Sequence, residues 1–400
     1  MAASDDERES VTDGRFGWLI VGLGFLLLAV LWGAVFTFTV YADALAGAFG
    51  LSALRTQAVF SVGTAAFFVV GGAVGIVVSG LPLRPVLLAA AAAVAASAGL
   101  LQVADSALGL TVAFALLGVA GGTTFVVTIS LVPQWFDRYE GTAMGMTVVG
   151  NGLGVQVMPF VWLWLLARTS VRRAFLVVGV VGVALLLAAS FAYRRPPGRR
   201  GSRRLAVDAA WARSLVADPR FLAAWVGLVL AWGWYFVLSA GLVDILTRVG
   251  IARTVAATAF GLVGGVSVVS RVASGGLADR VGPRETIAGG VVLAALGLFV
   301  LAVAASTTTM YASLVTFGVG LGAIAALYPP IIIRAFGPAN ATAITGVFTL
   351  CSAVAGFITP LAVNALTSAV GGYATPLVAL GVLTLLGAGL FYWGTDPSVG

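Results

Sequence analysis

Arg271 is the residue of this sequence best placed to do chemistry, because it is a cation inside an apolar stretch. The stretch covers 255–278 and has the length of a membrane-spanning helix. Arg271 lies eight residues before Asp279, so a rise of about 1.5 Å per residue places it about 12 Å inside the membrane, close to the midplane. No acidic residue lies in the middle of any apolar stretch to pair with it. These features indicate that Arg271 binds an anion, since a carboxylate matches the geometry of the guanidinium group. The alternative is a structural Arg held by backbone carbonyls.

Further residues in apolar stretches carry groups that could complete an anion site. Candidates for hydrogen bonding are Asn151, Tyr235 and Tyr328, and candidates for an apolar wall around a short acyl chain are Phe125, Phe348 and Cys351. For each residue singly, interhelical bonding or packing is the commoner role. The chain has no His, no Lys and one Cys, so we expect no metal site and no cofactor. The same shortage of bases and nucleophiles argues against an enzyme.

The composition requires that most of the chain lies in a membrane. Hydrophobic residues make up 60% and charged residues 9%, whereas soluble domains carry about 25% charged residues. Because open strands leave backbone groups unsatisfied in lipid, each apolar run is expected to be a helix. The predicted fold class is an all-α membrane protein with twelve transmembrane helices in two pseudo-symmetric six-helix bundles. The predicted spans are 16–41, 56–79, 85–104, 108–132, 141–167, 172–193, 220–246, 255–278, 286–305, 309–333, 341–367 and 374–394.

One long polar connector divides the chain near its midpoint. The predicted segments are an N-terminal tail (1–15), a first bundle (16–193), an Arg-rich linker (194–219), a second bundle (220–394) and a C-terminal tail (395–400). With both termini in the cytoplasm, fifteen Arg fall on the cytoplasmic side and six on the other, the arrangement that the positive-inside rule favours. The net charge of +7 is therefore interpreted as a topology signal, with membrane lipid and not nucleic acid as the partner. The linker is predicted to be a solvated tether, and lipid binding is the alternative.

The two halves are internal repeats. Gly118–Phe136 aligns with Gly318–Phe336 at an offset of 200 residues, and the same offset sets Gly75 against Gly275 and Arg84 against Arg284. Parallel six-helix repeats are related by an axis along the membrane normal, which places a cavity between them. This architecture predicts alternating access.

The segment GGLADRVGPR, at the end of the eighth predicted span, resembles the loop motif of the major facilitator superfamily. That resemblance implies the major facilitator fold and a gating role for the motif. Glycine lets two helices approach, and the charged groups close the cytoplasmic face. The gating candidates are Gly276, Asp279, Arg280, Arg284 and Arg138. In the first half, Ser79 stands where the second half has Asp279.

Two further stretches carry a finer resemblance. The sequence DGRFGW, with Asp13, Gly14, Phe16, Gly17 and Trp18, looks like the N-terminal signature of the monocarboxylate transporter family. The sequence PQWFDRYEGTAMGMTVVGNGLG, 133–154, is similar to the loop and fifth helix of that family and of the related oxalate:formate antiporter family. Arg138 fits a basic position of that loop. The resemblance implies that Arg271 corresponds to the Arg on helix eight that binds the substrate carboxylate.

Two positions depart from that family. Ser267 stands where an Asp involved in proton coupling is common, and Phe36 where many members have a Lys. We therefore expect a plasma-membrane transporter of a small organic anion, preferably a monocarboxylate. Transport would be coupled to a proton, through Asp43 or Asp244 near the outer mouth, or to a counter-anion, or would be uncoupled. The alternatives are an exporter of drugs or neutral metabolites, in which Arg271 is a conformational latch, and a non-transporting membrane receptor.

Overall fold

The computed structural model describes residues 13–77, 82–196, 209–304, 306–336 and 341–396. Within those ranges it is helical, and twelve helices are long and apolar enough to cross a membrane, which confirms the predicted fold class. The helices of the first half are α1 (Arg15–Phe36), α2 (Phe38–Phe49), α3 (Ala53–Val77), α4 (Leu83–Val103), α5 (Ala107–Leu131), α6 (Glu140–Leu166) and α7 (Val171–Ala192). The others are α8 (Ala209–Ala217), α9 (Pro219–Arg248), α10 (Arg253–Val281), α11 (Pro283–Ala302), α12 (Thr307–Phe336), α13 (Ala341–Val370) and α14 (Ala374–Gly394).

The first predicted span, 16–41, is interrupted at Thr37 and continues as α2 to Phe49. The Thr37 hydroxyl donates to the Gly33 carbonyl at 2.6 Å and accepts from Trp162 Nε1 at 2.9 Å. A side-chain hydrogen bond to the preceding turn commonly bends a helix. Several other helices run a few residues past their predicted ends, because a helix continues into the polar headgroup region after its apolar run stops.

The linker contains one short helix, α8, where the sequence predicted only a tether. Asp218 then caps α9 by accepting from the Arg220 backbone N–H at 2.8 Å. Most of the linker's Arg residues fall in 197–208, outside the described residues, as do Ser79, residues 1–12 of the N-terminal tail and residues 397–400.

The offset of 200 residues is visible in the helices themselves. α3 and α10 begin at residues 53 and 253, α4 and α11 at 83 and 283, and α5 and α12 at 107 and 307. The two halves meet where α3 packs on α13, α6 on α10, and α2 on α9. We name the membrane face where residues 194–218 join the halves the linker side, and the opposite face the distal side.

Candidate functional site

Two glycines let α6 and α10 approach closely and thereby position Arg271. A β-carbon on Gly264 would lie 2.5 Å from the Gly152 carbonyl oxygen, a separation that no other residue type permits. Two turns along α10 from this crossing, Arg271 Nη1 donates to the Val148 carbonyl of α6 at 3.3 Å. The side chain therefore reaches from the second half to the first. It lies ten residues, about 15 Å, from the linker-side end of α10.

The guanidinium of Arg271 is incompletely satisfied. Its Nε is buried and has no hydrogen-bond partner among the described residues, and the side chain as a whole is partly buried. Asn151 is one turn from Val148 on the same face of α6. Asn151 is 3% exposed, and its Oδ1 also lacks a partner within the described ranges. Two unsatisfied polar groups from different halves thus lie at the same crossing.

Tyr235 of α9 joins this group. Its hydroxyl accepts from Trp32 Nε1 of α1 at 3.2 Å, a bond between the halves, and it interacts electrostatically with Arg271. The ring centroids of Trp32 and Phe125 are 5.4 Å apart. Through these contacts the structure brings Arg271, Tyr235 and Phe125 into one region, although their sequence positions are far apart.

Tyr328 reaches the same region through Trp232. The Trp232 ring lies 5.9 Å from Tyr235 and 6.3 Å from Tyr328. Sequence reasoning missed Trp232 and Trp32. The available signal was helical spacing, since Trp232 is three residues before Tyr235 and Trp32 is four residues before Phe36.

Phe348 and Cys351 are one turn apart on α13, and Cys351 interacts electrostatically with Tyr328. The Phe348 ring packs against Phe221 and Phe336, at 5.5 and 5.8 Å, near the linker side. Cys351 is fully buried, and its thiol donates to the Trp225 carbonyl at 3.4 Å. Their proposed contact with an acyl chain stays a prediction.

The two positions that depart from the monocarboxylate transporter pattern have structural partners. Ser267 is fully buried and donates to the Gly264 carbonyl at 2.7 Å. Phe36 packs between Trp32, at 4.4 Å, and Tyr235, at 5.8 Å. Neither position supplies a charge beside Arg271.

The two stretches with the finer resemblance contact each other on the linker side. The Asp13 carboxylate accepts from the backbone N–H groups of Asp137, Arg138 and Tyr139 at 3.4, 3.1 and 3.3 Å. These groups precede the first turn of α6, where a carboxylate is favoured by the helix dipole. The Asp13 N–H donates in turn to the Trp135 carbonyl at 2.9 Å. Asp13 thus holds the start of the helix that carries Val148 and Asn151.

Aromatic packing completes this contact. Phe16 lies 4.9 Å from Trp135, and Trp18 lies 5.0 Å from Phe136, measured between ring centroids. Gly17 leaves room for these rings, since a β-carbon there would lie 2.9 Å from Phe136. Gly14 precedes α1 in an extended conformation.

A family model described as the Major Facilitator Superfamily matches residues 18–360 and 243–399 of the chain. The chain belongs to the major facilitator superfamily. It is 28% identical to monocarboxylate transporter 13 of Rattus norvegicus, over 96% of this chain and 90% of that protein. It is 26% identical to the oxalate:formate antiporter of Oxalobacter formigenes, over 84% of this chain and 82% of that protein. The predicted resemblance is confirmed.

Solved structures show the same fold. A mutant of the peptide transporter POT in complex with sulfate superposes with a TM-score of 0.76 at 14% identity, covering 97% of both chains. A bacterial homolog of the human lysosomal transporter Spinster, in an inward-facing and unoccupied conformation, gives 0.73 at 15% identity, covering 95% of this chain and 97% of that one. The family match and the twelve apolar helices among the described residues make this chain a multi-pass membrane transporter of the superfamily.

The gating candidates of this transporter have partners mainly within their own half. Arg284 forms an ion pair with Asp396 at 3.1 Å, and its guanidinium lies 4.1 Å from the centre of the Tyr392 ring. Asp279 and Arg280 are exposed at the end of α10, and a β-carbon on Gly276 would meet open space. The Arg138 guanidinium lies 5.3 Å from the centre of the Tyr139 ring. A charge network that closes the linker side stays a prediction.

The distal side of the transporter is closed by bonds between the halves. Asp43 and Arg253 form an ion pair, Val243 N–H donates to Thr39 Oγ1 at 2.7 Å, and Gln57 Nε2 donates to the Ala240 carbonyl at 3.3 Å. All three contacts lie near the distal helix ends. Together they hold the two halves to each other on that side.

Asp244 also lies on the distal side, within the second half. It accepts from the Tyr373 hydroxyl at 2.7 Å and pairs with Arg248 at 3.3 Å. Burial, followed by the hydrogen bond to the Asp244 carboxylate, raises the pKa of Tyr373. Tyr373 therefore remains a neutral donor at physiological pH.

Proposed function

We propose that this transporter moves a small organic anion, a monocarboxylate, and that Arg271 binds its carboxylate. The observation that carries the proposal is the unsatisfied guanidinium: Nε has no partner within the described residues, and the one recorded hydrogen bond is a 3.3 Å contact to a carbonyl. A carboxylate would accept from Nε and a terminal nitrogen together. Two relatives, a monocarboxylate transporter and an oxalate:formate antiporter, support an anionic substrate.

Alternating access follows from where the halves meet. The distal contacts of Asp43, Thr39 and Gln57 must break for a substrate to reach Arg271 from that side. The Arg271 hydrogen bond to Val148 must break when the halves part on the linker side. We place the protein in the plasma membrane with the linker side cytoplasmic, because most of the Arg residues lie there.

A latch is the second candidate role for Arg271. The hydrogen bond from Arg271 to Val148 joins the two halves, which is what a latch in a carrier of neutral solutes would do. In that case the conformational equilibrium, and not carboxylate binding, would depend on the charge at residue 271.

The test is carboxylate binding to purified protein, measured as a thermal-stability shift that grows with ligand concentration. The panel is lactate, pyruvate, acetate, oxalate and formate, applied to wild type, Arg271→Gln and Arg271→Lys. Loss of a buried, hydrogen-bonded charge partner costs about 2 kcal/mol or more, so Arg271→Gln should weaken binding at least about 30-fold. Arg271→Lys should be intermediate, because it keeps the charge and loses the fork.

Arg168→Gln is the matched control, since Arg168 lies on the distal surface over the Trp164 ring at 4.7 Å. That variant should bind as wild type does. Unchanged carboxylate affinity in a folded Arg271→Gln protein would refute the proposal and favour the latch.

A further inference from the structure

Aromatic side chains from both halves border the region of Arg271. We name Trp32, Phe125, Trp232, Tyr235 and Tyr328 the aromatic pocket. Trp32 and Phe125 belong to the first half, and the other three belong to the second. The Trp32 to Tyr235 hydrogen bond of 3.2 Å joins the two sets. Tyr235 lies on α9, which packs on α10, and it interacts electrostatically with Arg271 of that helix.

The rings of this region differ in how deeply they are buried. Tyr235 is 1% exposed and belongs with the fully buried rings. Phe36 and Phe236 are 0% and 1% exposed and contact each other between the halves at 6.2 Å, so they close the interface. Trp32, Phe125 and Tyr328 are only partly buried although they lie inside the spans. Trp32 donates across the interface to Tyr235, Phe125 packs on Trp32, and Tyr328 packs on Trp232, so the three partly exposed rings lie around the Trp32–Tyr235 contact between the halves.

The aromatic pocket also contains an unused hydrogen-bond donor. Trp232 is 8% exposed, and its Nε1 has no partner among the described residues. The Asn151 Oδ1 and Arg271 Nε atoms are unsatisfied as well. A buried indole N–H normally finds a partner, so the Trp232 N–H is a donor available to a ligand, as is the Nε of Arg271.

From these contacts we infer that the substrate is an aromatic monocarboxylate, with its carboxylate on Arg271 and its ring within the aromatic pocket. The inference rests on the proposed function and narrows its substrate class. A two- or three-carbon acid would satisfy Arg271 and leave the ring faces of Trp32, Phe125 and Tyr328 uncovered. An aromatic ring would cover them in the offset or edge-to-face geometry that aromatic pairs prefer, and apolar burial adds affinity in proportion to area.

The experiment compares four ligands by thermal-stability titration of the purified, full-length protein. Acetate supplies the carboxylate alone, and phenylacetate adds a ring to it. Cyclohexylacetate has a saturated ring of similar size, and phenylacetamide keeps the aromatic ring and lacks the charge. We expect phenylacetate to bind at least about tenfold more tightly than acetate, cyclohexylacetate to bind more weakly than phenylacetate, and phenylacetamide to give no shift. This comparison is made on wild type, so no variant has to fold.

A pair of matched variants tests where the ring binds. Phe125→Leu should weaken phenylacetate binding about threefold or more and weaken acetate binding less than that. Phe299→Leu is the control, because the Phe299 ring packs on Gly381 inside the second half, away from the pocket. It should leave both affinities unchanged.

Three outcomes would overturn the inference. If acetate binds as tightly as phenylacetate in an Arg271-dependent manner, the aromatic class is wrong and the proposed function stands. The same holds if cyclohexylacetate and phenylacetate bind equally. If a folded wild-type protein binds no acid, the proposed function fails together with the inference.

Discussion

Asp13 offers a sharp test of the linker-side structure, because it combines two features that substitutions can separate. Its carboxylate accepts three backbone N–H bonds ahead of α6, and its backbone is left-handed, with φ of 60°. Asp13→Gly removes the carboxylate and relaxes the backbone. Asp13→Ala removes the carboxylate and strains the backbone. Asp13→Asn keeps an oxygen acceptor and a side chain that tolerates this conformation.

The expected stability losses follow from these contacts. Of the three bonds, the 3.1 Å bond to Arg138 N–H has good geometry, and the other two, at 3.3 and 3.4 Å, are long. Loss of such a cap costs about 0.5–2 kcal/mol, and a left-handed residue other than Gly costs about 1–2 kcal/mol. We therefore expect losses of about 0.5 kcal/mol for Asn, about 1 for Gly and about 2.5 for Ala.

The assay is thermal unfolding in detergent, followed by the reaction of Cys351 with a thiol-specific fluorophore. The chain has one Cys, and it is buried, so its reaction reports unfolding. Asp105→Asn is the matched control, because its ion pair with Arg172 is 89% exposed on the Asp side and contributes about 0.5 kcal/mol or less. Equal melting temperatures for Asp13→Gly and Asp13→Ala would refute the strain argument, and a wild-type melting temperature for Asp13→Ala would refute the cap.

Two further predictions concern the contacts between the halves. Gly264→Ala should destabilise the protein by about 1–3 kcal/mol through overpacking, because its β-carbon would lie 2.5 Å from the Gly152 oxygen. Gly275→Ala on the same helix is the control, since its β-carbon meets nothing within 4 Å and the variant should be neutral or slightly stabilised. Equal thermal stabilities of the two variants would contradict the close approach of α6 and α10. Asp43→Asn should expose the distal face about twofold more often, since an exposed ion pair contributes about 0.5 kcal/mol. The measurement is the rate at which a Ser239→Cys variant reacts with an impermeant maleimide, because Ser239 is fully buried and makes none of the three distal contacts. The double charge reversal of Asp43 and Arg253 should return that rate to its original value. An unchanged rate in Asp43→Asn would argue against that pair as a distal closure.

The sequence predicted the spans and the repeat because both depend on local properties. Apolar length identifies a membrane helix, and the offset of 200 residues recurs in the helix starts. Arg271 could be singled out because a charge at mid-span is rare. Its partner could not, since the Val148 carbonyl carries no side-chain signature and depends on the packing of Gly152 against Gly264.

Other features depend on contacts that no local pattern encodes. Asp13 and the Arg138 N–H are 125 residues apart, and the resemblance to two motifs did not reveal that the motifs touch. The break at Thr37 coincides with a hydrogen bond to Gly33 in the preceding turn and with one from Trp162, which lies on another helix. Phe348 packs on Phe221 and Cys351 donates to the Trp225 carbonyl, and the sequence of α13 does not identify either partner on α9.

The repeat also explains why the candidate site is asymmetric. At the offset of 200 residues, the position equivalent to Arg271 is Gly71, where a β-carbon would lie 3.2 Å from the Gly122 carbonyl. The first half has a tightly packed glycine at the position of the cation, and it contributes a carbonyl oxygen from Val148 to the site. One half carries the charge and the other carries the weak partner. An anion that replaces the Val148 carbonyl would neutralise the guanidinium in the interior, where an unpaired charge is costly. A conformation that excludes water from the site is therefore electrostatically more favourable with the anion bound than without it.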